Sequence, residues 1–233
     1  MPEELLDNLK KVEHEITVSC EKVHRDPKEV RLIAVSKMKP LDMLKSVYAT
    51  GVRSFGENYV QELSEKIEQM PEDVQWHMIG HLQRNKVKYL VGRVAMIHSV
   101  DSYRLAEEIS KQSVKHNCIT EILVEVNVAA EENKFGLEPS AVEEELRQIV
   151  SLPAIKVRGL MTSAPFVENP EDNRKYFRQL KQLCVDINAK NIDNINMDCL
   201  SMGMTNDYKV AIEEGATMVR VGTAIFGHRN YNK

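Results

Sequence analysis

Two hydrophobic periods alternate along the chain. Leu5, Leu9, Val12 and Ile16 recur at helical spacing and predict a leading amphipathic helix that ends before Asp26-Pro27. Short β-rich runs follow at 31–36, 52–57, 74–79, 94–98, 120–127, 155–160, 196–200 and 217–221. Helical stripes lie between them. Val60, Leu63, Ile67 and Met70 form one, and Val142, Leu146, Ile149 and Val150 another. A third runs through Tyr176, Phe177, Leu180, Leu183, Cys184 and Ile187. Eight strands alternating with helices predict an α/β fold: a single (β/α)8 barrel of TIM type with an extra N-terminal helix, one domain over residues 1–233. A doubly wound open sheet is the competing architecture, and the strand count favours the barrel.

Composition narrows the class without changing the fold. A length of 233 residues suits one such barrel, which typically takes about 250. The net charge of −4 argues against bulk nucleic-acid binding. No apolar stretch approaches the roughly 20 residues that span a bilayer. The acidic start Met1-Pro2-Glu3-Glu4 lacks the layout of a secretory leader, so a cytoplasmic location is expected. Cys20, Cys118, Cys184 and Cys199 are scattered with no C-x-x-C pair, which predicts reduced thiols rather than a zinc site or disulfides.

Chemistry in such a barrel sits at the C-terminal strand ends. Those ends carry Lys37, then Glu57-Asn58, Gly80-His81, Ser99, Asn127, Met161-Thr162-Ser163, Ser201-Met202-Gly203-Met204 and Gly222-Thr223. Lys37 is the cation closing the apolar run Leu32-Ile33-Ala34-Val35-Ser36. Desolvation there lowers an amine's pKa and makes it a nucleophile toward an aldehyde, although most strand-end lysines only reach into water. The turns holding Ser201 and Gly203, and Gly222 and Thr223, follow the last two predicted strands, the customary phosphate site of these barrels. Arg220 shares a strand face with Gly222 and Met218. A guanidinium there needs an acceptor, either a buried carboxylate (Glu57 or Asp198) or a ligand. Three further features invite bland readings. The basic stretch Arg84, Lys86, Lys88 and Arg93 reads as a solvated helix face, residues 163–172 as a surface loop above the rim, and His77, His81 and His98 as a weak metal set.

A strand-end lysine, a late phosphate cup and an inward arginine together suit pyridoxal 5′-phosphate (PLP). At this point the chain resembles the YggS/PROSC type of pyridoxal phosphate-binding proteins. The resemblance is carried by Ala34-Val35-Ser36-Lys37-Met38-Lys39-Pro40, Phe55-Gly56-Glu57-Asn58-Tyr59, and the run from Trp76 to Lys86. It continues through Gly159-Leu160-Met161-Thr162, Leu200-Ser201-Met202-Gly203-Met204-Thr205-Asn206-Asp207, and the run from Val219 to Gly227. Thr205, where serine is common, and Phe135, inside Lys134-x-Gly136, depart from the pattern. The resemblance implies a barrel like the N-terminal domain of alanine racemase, with PLP as an internal aldimine on Lys37. It also implies Ser201, Gly203, Gly222 and Thr223 on the phosphate, Arg220 near the pyridine nitrogen, and Asn58, His81 and Met161 around the ring.

An arginine keeps its proton, so the nitrogen opposite it stays largely unprotonated and the cofactor is a poor electron sink. Racemases of this fold also draw an acid/base tyrosine from a second domain, for which eight β/α units leave no room; Tyr231 is expected in an exposed tail. The implied function is vitamin B6 homeostasis: PLP held without expected turnover, with PLP-dependent apoenzymes as candidate recipients and a monomer or weak dimer as the assembly. A fold-type III amino-acid racemase-like enzyme is the alternative.

Overall fold

The computed structural model describes residues 2–193 and 195–228. Eight parallel strands close a barrel in the order β1-β2-β3-β4-β5-β6-β7-β8, which excludes the open sheet. They are β1 (Arg31–Val35), β2 (Ser54–Glu57), β3 (Gln75–Met78), β4 (Met96–Val100), β5 (Thr120–Glu125), β6 (Ile155–Met161), β7 (Cys199–Met204) and β8 (Met218–Val221). The helices are α1 (Pro2–Lys22), α2 (Leu41–Ala49), α3 (Val60–Ile67), α4 (Tyr103–Lys115), α5 (Val142–Ile149), α6 (Arg174–Ala189), α7 (Tyr208–Glu213) and α8 (Thr223–Phe226). Between β3 and β4 the chain makes a 3-10 helix, Arg84–Tyr89, so the basic stretch expected on an α-helix rides a tighter, shorter turn.

Burial follows the periodicity. Leu5, Leu9, Val12 and Ile16 on α1 are buried, and that helix packs against α2, α7 and α8. Leu63 on α3, Val142, Leu146 and Ile149 on α5, and Phe177, Leu180, Cys184 and Ile187 on α6 face the outer wall of the barrel. Inside, Ile33, Met96, Leu123, Met161, Cys199 and Met218 form a separate apolar layer. The cysteines are free thiols, as expected.

Three strands run further toward the functional rim than predicted, β6 by the single residue Met161 and β4 and β7 by more. β4 continues through Ser99, whose buried hydroxyl donates to Gly80 O at 2.6 Å. β7 starts at Cys199 rather than 196 and continues through Met204. Its register against β8 slips between Ser201 and Met204, and Gly203 at that slip has φ +91°. A side chain there would be strained and would also meet Ala211 Cβ at 2.6 Å. Glycine thus serves a bulge inside the strand rather than a turn after it.

Candidate functional site

The strand ends surround a cleft of about 580 Å³, lined by Lys37, Asn58, Thr205, Arg220, Gly222 and Thr223 among others. Five of the nine residues expected at the site therefore meet in one place. Lys37 follows β1 in a turn and is half-buried. Asn58 is fixed by the neighbouring strand end, because Gly80 lies so close that a Cβ there would sit 2.5 Å from Asn58 O. The Asn58 side-chain oxygen is buried without a hydrogen-bond partner. A buried acceptor left unmet costs about 1–3 kcal/mol, so it is a natural place for a ligand donor or water.

The other four lie elsewhere. Ser201 and Gly203 were expected on the phosphate turn, but the strand runs through both. The actual turn is Thr205–Asp207, closed by Asp207 Oδ1, which accepts the Met204 N–H at 2.7 Å. Asp207 Oδ2 takes a second bond from Asn173 Nδ2 at 2.7 Å. Met161 is 1% exposed in the apolar layer inside the barrel and does not line the cleft. His81 is exposed and stacks on Phe135 with centroids 3.7 Å apart, its Nδ1 3.4 Å from Asp101 Oδ2. Both rings belong to an adjoining cavity of about 690 Å³ that shares Asn58, Ile79 and Ser163 with the cleft. The large side chain at 135 thus has a partner in His81.

Thr205 is the site residue that sequence reasoning noticed only as a departure from pattern. Its Oγ1 receives the N–H groups of Gly222 at 3.3 Å and Ala224 at 3.4 Å. A neutral hydroxyl therefore occupies a point at which backbone donors from the β8–α8 turn converge. Such converging N–H groups suit an anion better than a hydroxyl. Lys39 ties the β1 side of the cleft to the same corner, donating to the carbonyls of Phe226, Gly227 and His228 at 2.9–3.0 Å.

Arg220 closes the cleft from within the barrel, at 4% exposure. Neither carboxylate considered for it is its partner. Glu57 points out of the barrel to Lys66 at 2.7 Å, and Asp198 pairs with Arg158 at 2.7 Å. Arg220 instead donates to Ser201 Oγ at 2.6 Å and to Thr162 O at 2.8 Å. Burial pulls its pKa down to about 10, partly countered by the fields of Glu125 and Asp207.

The Ser201 hydroxyl, having accepted from Arg220, has one proton to place, and His98 Nδ1 lies 2.9 Å away. His98 Nε2 then faces His77 Nδ1 at 2.9 Å, and His77 Nε2 ends the chain without a partner. Donor counting assigns these tautomers. Burial holds both imidazoles neutral, His77 down to about 3 and His98 well below its ordinary value. The two rings are thus wired into the barrel interior, with His81 on the rim. No three His, Cys, Asp or Glu side chains gather around a metal position among the described residues.

Glu125, at the end of β5, falls inside the predicted run 120–127. It lines the adjoining cavity, and burial raises its carboxyl to about 7 against the opposing pull of Arg220. An acid with its pKa raised by burial beside the cleft carries no mark in the sequence.

A parallel eight-stranded barrel with a lysine closing β1 and backbone donors converging after β8 defines the class, and the chain belongs to the alanine racemase N-terminal domain family, whose model matches residues 8–230. Within it, the chain is 45% identical over 226 residues to a pyridoxal phosphate homeostasis protein of Aquifex aeolicus, covering 97% of this chain and 98% of that one. A protein of the same name from Escherichia coli K12 is 34% identical over 237 residues, covering 99% of each. Among solved structures, PipY of Synechococcus elongatus with PLP bound matches with TM-score 0.79 and 33% identity, over 91% of this chain and 100% of PipY. An alanine racemase of Clostridium difficile shares the fold at TM-score 0.72 and 15% identity, over 99% of this chain and 58% of that one. No helix among the described residues is long and apolar enough to cross a membrane.

Proposed function

We propose that this protein binds PLP for vitamin B6 homeostasis, holding the cofactor covalently on Lys37 and passing it to PLP-dependent apoenzymes. The observation that carries this reading is one cleft uniting an amine at the end of β1, a buried guanidinium on β8 that is hydrogen-bonded but has no carboxylate partner, and backbone N–H groups converging on Thr205. Those residues fit the group. Gly222, Ala224, Thr205 and Thr223 would hold its phosphate, Arg220 would face the ring, and the unmet oxygen of Asn58 would take a donor. Ser201 would act through Arg220, fixing the guanidinium from behind.

When bound, PLP supplies an aldehyde that condenses with an amine and a ring able to accept electrons. The chain's own contribution points to retention rather than turnover. Arg220 has donors only, so it offers the ring nitrogen no proton to keep. The curated relatives carry a name for homeostasis, not for a reaction. Tyr231, expected in an exposed tail, lies outside the described residues.

The test is spectroscopic. Lys37→Ala should abolish the visible Schiff-base absorbance formed with PLP, and an unchanged band in that variant would remove Lys37 from the site. Incubating loaded protein with amino acids in deuterated water separates carrier from enzyme, because sustained α-proton exchange at enzymic rates would overturn the carrier reading.

A further inference from the structure

The turn bearing Lys37 is gripped from outside the barrel. Lys66, on α3, is 6% exposed, and its three ammonium protons are all used. They go to Ser36 O, Glu57 Oε1 and Glu62 Oε1, each at 2.7 Å. Ser36 is held a second time, its hydroxyl donating to the same Glu57 oxygen at 2.6 Å. On the other side of Lys37, the Met38 N–H donates to Glu62 Oε1 at 2.6 Å. One ion cluster therefore fixes the residue before Lys37 and the residue after it.

The turn needs such a hold. Met38 has φ +59°, a left-handed conformation that an unbranched non-glycine residue adopts only when its surroundings impose it. The bond from Lys39 N–H to Ser36 O at 3.0 Å closes the turn but constrains neither flank against the barrel wall. The Ser36 N–H ties the first flank to β2 through Gly56 O at 3.0 Å, and the anchors from α3 add a hold on the Ser36 carbonyl and one on the Met38 N–H. Every member of the cluster lies on β2, on α3 or in the turn after β1, outside the cleft, and none lines it.

We propose that Lys66, acting with Glu57 and Glu62, is a positioning residue for Lys37: by fixing Ser36 and Met38 it sets the direction from which the Lys37 amine enters the cleft. This rests on the reading of Lys37 as the cofactor-bearing amine. Its signature is a split between two events. Non-covalent docking depends on Arg220 and the β8–α8 turn, whereas condensation depends on the approach of the amine. Misplacing a reacting group by about 1 Å can cost on the order of a hundredfold in rate.

The experiment uses the full chain with Lys66→Met and Glu62→Ala. Two quantities are compared with the parent: the rate at which the Schiff-base band grows on adding PLP, and the affinity for pyridoxine 5′-phosphate, which has no aldehyde. The expected result is condensation slowed by about tenfold or more, with analogue affinity within about twofold. Equal condensation rates in folded variants, or analogue affinity falling in step with the rate, would overturn the proposal. Should Lys66→Met fail to fold, Glu62→Ala decides, since its side chain is 22% exposed and its removal frees the Met38 N–H while leaving Lys66 with Glu57 and the Ser36 carbonyl. Lys37→Ala is run alongside. A band surviving in that variant refutes the lysine assignment itself, whereas a band lost there but formed at parental rate in Glu62→Ala refutes only the grip.

Discussion

Two buried cations sit on opposite faces of the barrel wall, and they are treated differently. Outside, Lys66 meets two carboxylates at 2.7 Å and a carbonyl at the same distance. Inside, Arg220 is as buried but holds two hydroxyls and a carbonyl, with no carboxylate within ion-pair distance among the described residues. Taking an ion out of water costs several kcal/mol unless a counter-charge returns it. Lys66 is repaid within the protein, so its cluster is complete and can serve as a fixture. Arg220 is not repaid, and the deficit lies under the cleft where the anionic cofactor is proposed to bind. Charge left unbalanced at a cavity marks the ligand's share of the site.

The comparison breaks most visibly at Glu57. Burial raises its pKa while Lys66 and Ser36 pull it back, and its second oxygen has no partner. Lys66 is thus the strongest of the influences that oppose the burial. Glu57→Leu leaves the ammonium with Glu62 as its one carboxylate, beside the Ser36 carbonyl, and is expected to cost about 3–5 kcal/mol of stability, read as a fall in the urea midpoint at unchanged slope. A loss below about 1 kcal/mol would show that the outer cluster is not the self-contained unit described above.

Glu125 sharpens the inner side. Its folded pKa of about 7 lies above the ordinary 4.5, so between these values the unfolded chain releases a proton that the folded chain keeps. Stability from this group is full below pH 4.5 and declines as pH rises to about 7. The total is about 3 kcal/mol. His77 contributes with the opposite sign, since its pKa is depressed to about 3 and its stability is lost as pH falls below 6.5. The difference between parent and Glu125→Gln isolates the carboxyl. In cofactor-free protein, the variant should gain on the parent steadily from pH 4.5 to 7, as measured by urea unfolding at several pH values. A flat difference would mean that Glu125 is ionised throughout and already answers part of the Arg220 charge.

What was legible in the sequence follows from what period 2 and strand ends can report. Lys37, Asn58, Arg220, Gly222 and Thr223 line one cleft, as strand alternation and the barrel's one-sided chemistry lead one to expect of residues at those strand ends. Ser201 and Gly203 were misplaced because a serine and a glycine between methionines read as a turn, whereas the chain carries them through a bulge at φ +91°. That extension of β7 moves the turn to Thr205–Asp207. Lys66 was not marked at all. It sits three residues after Leu63 on the inner face of α3, where a buried ammonium and a solvated one look alike until Glu57 is seen beneath it. Partners distant in the chain decide such cases, and one sequence does not contain their distances.

Arg220→Met is the smallest expected effect and the closest test of the contrast. Methionine keeps much of the length and removes the charge, leaving Ser201 free to keep its bond to His98. Because Arg220 has no carboxylate to orphan, cofactor-free stability should stay within about 1 kcal/mol of the parent or rise, unlike the loss at Glu57. Retention of PLP should weaken by about 1.5–3 kcal/mol, the worth of a hydrogen bond to a charged group, in a titration followed by the Schiff-base band. The two numbers must move apart for the argument to stand. If Arg220→Met instead costs the fold as much as Glu57→Leu and leaves PLP retention unchanged, the guanidinium is a brace for the barrel interior, and the two cations differ in their partners but not in their purpose.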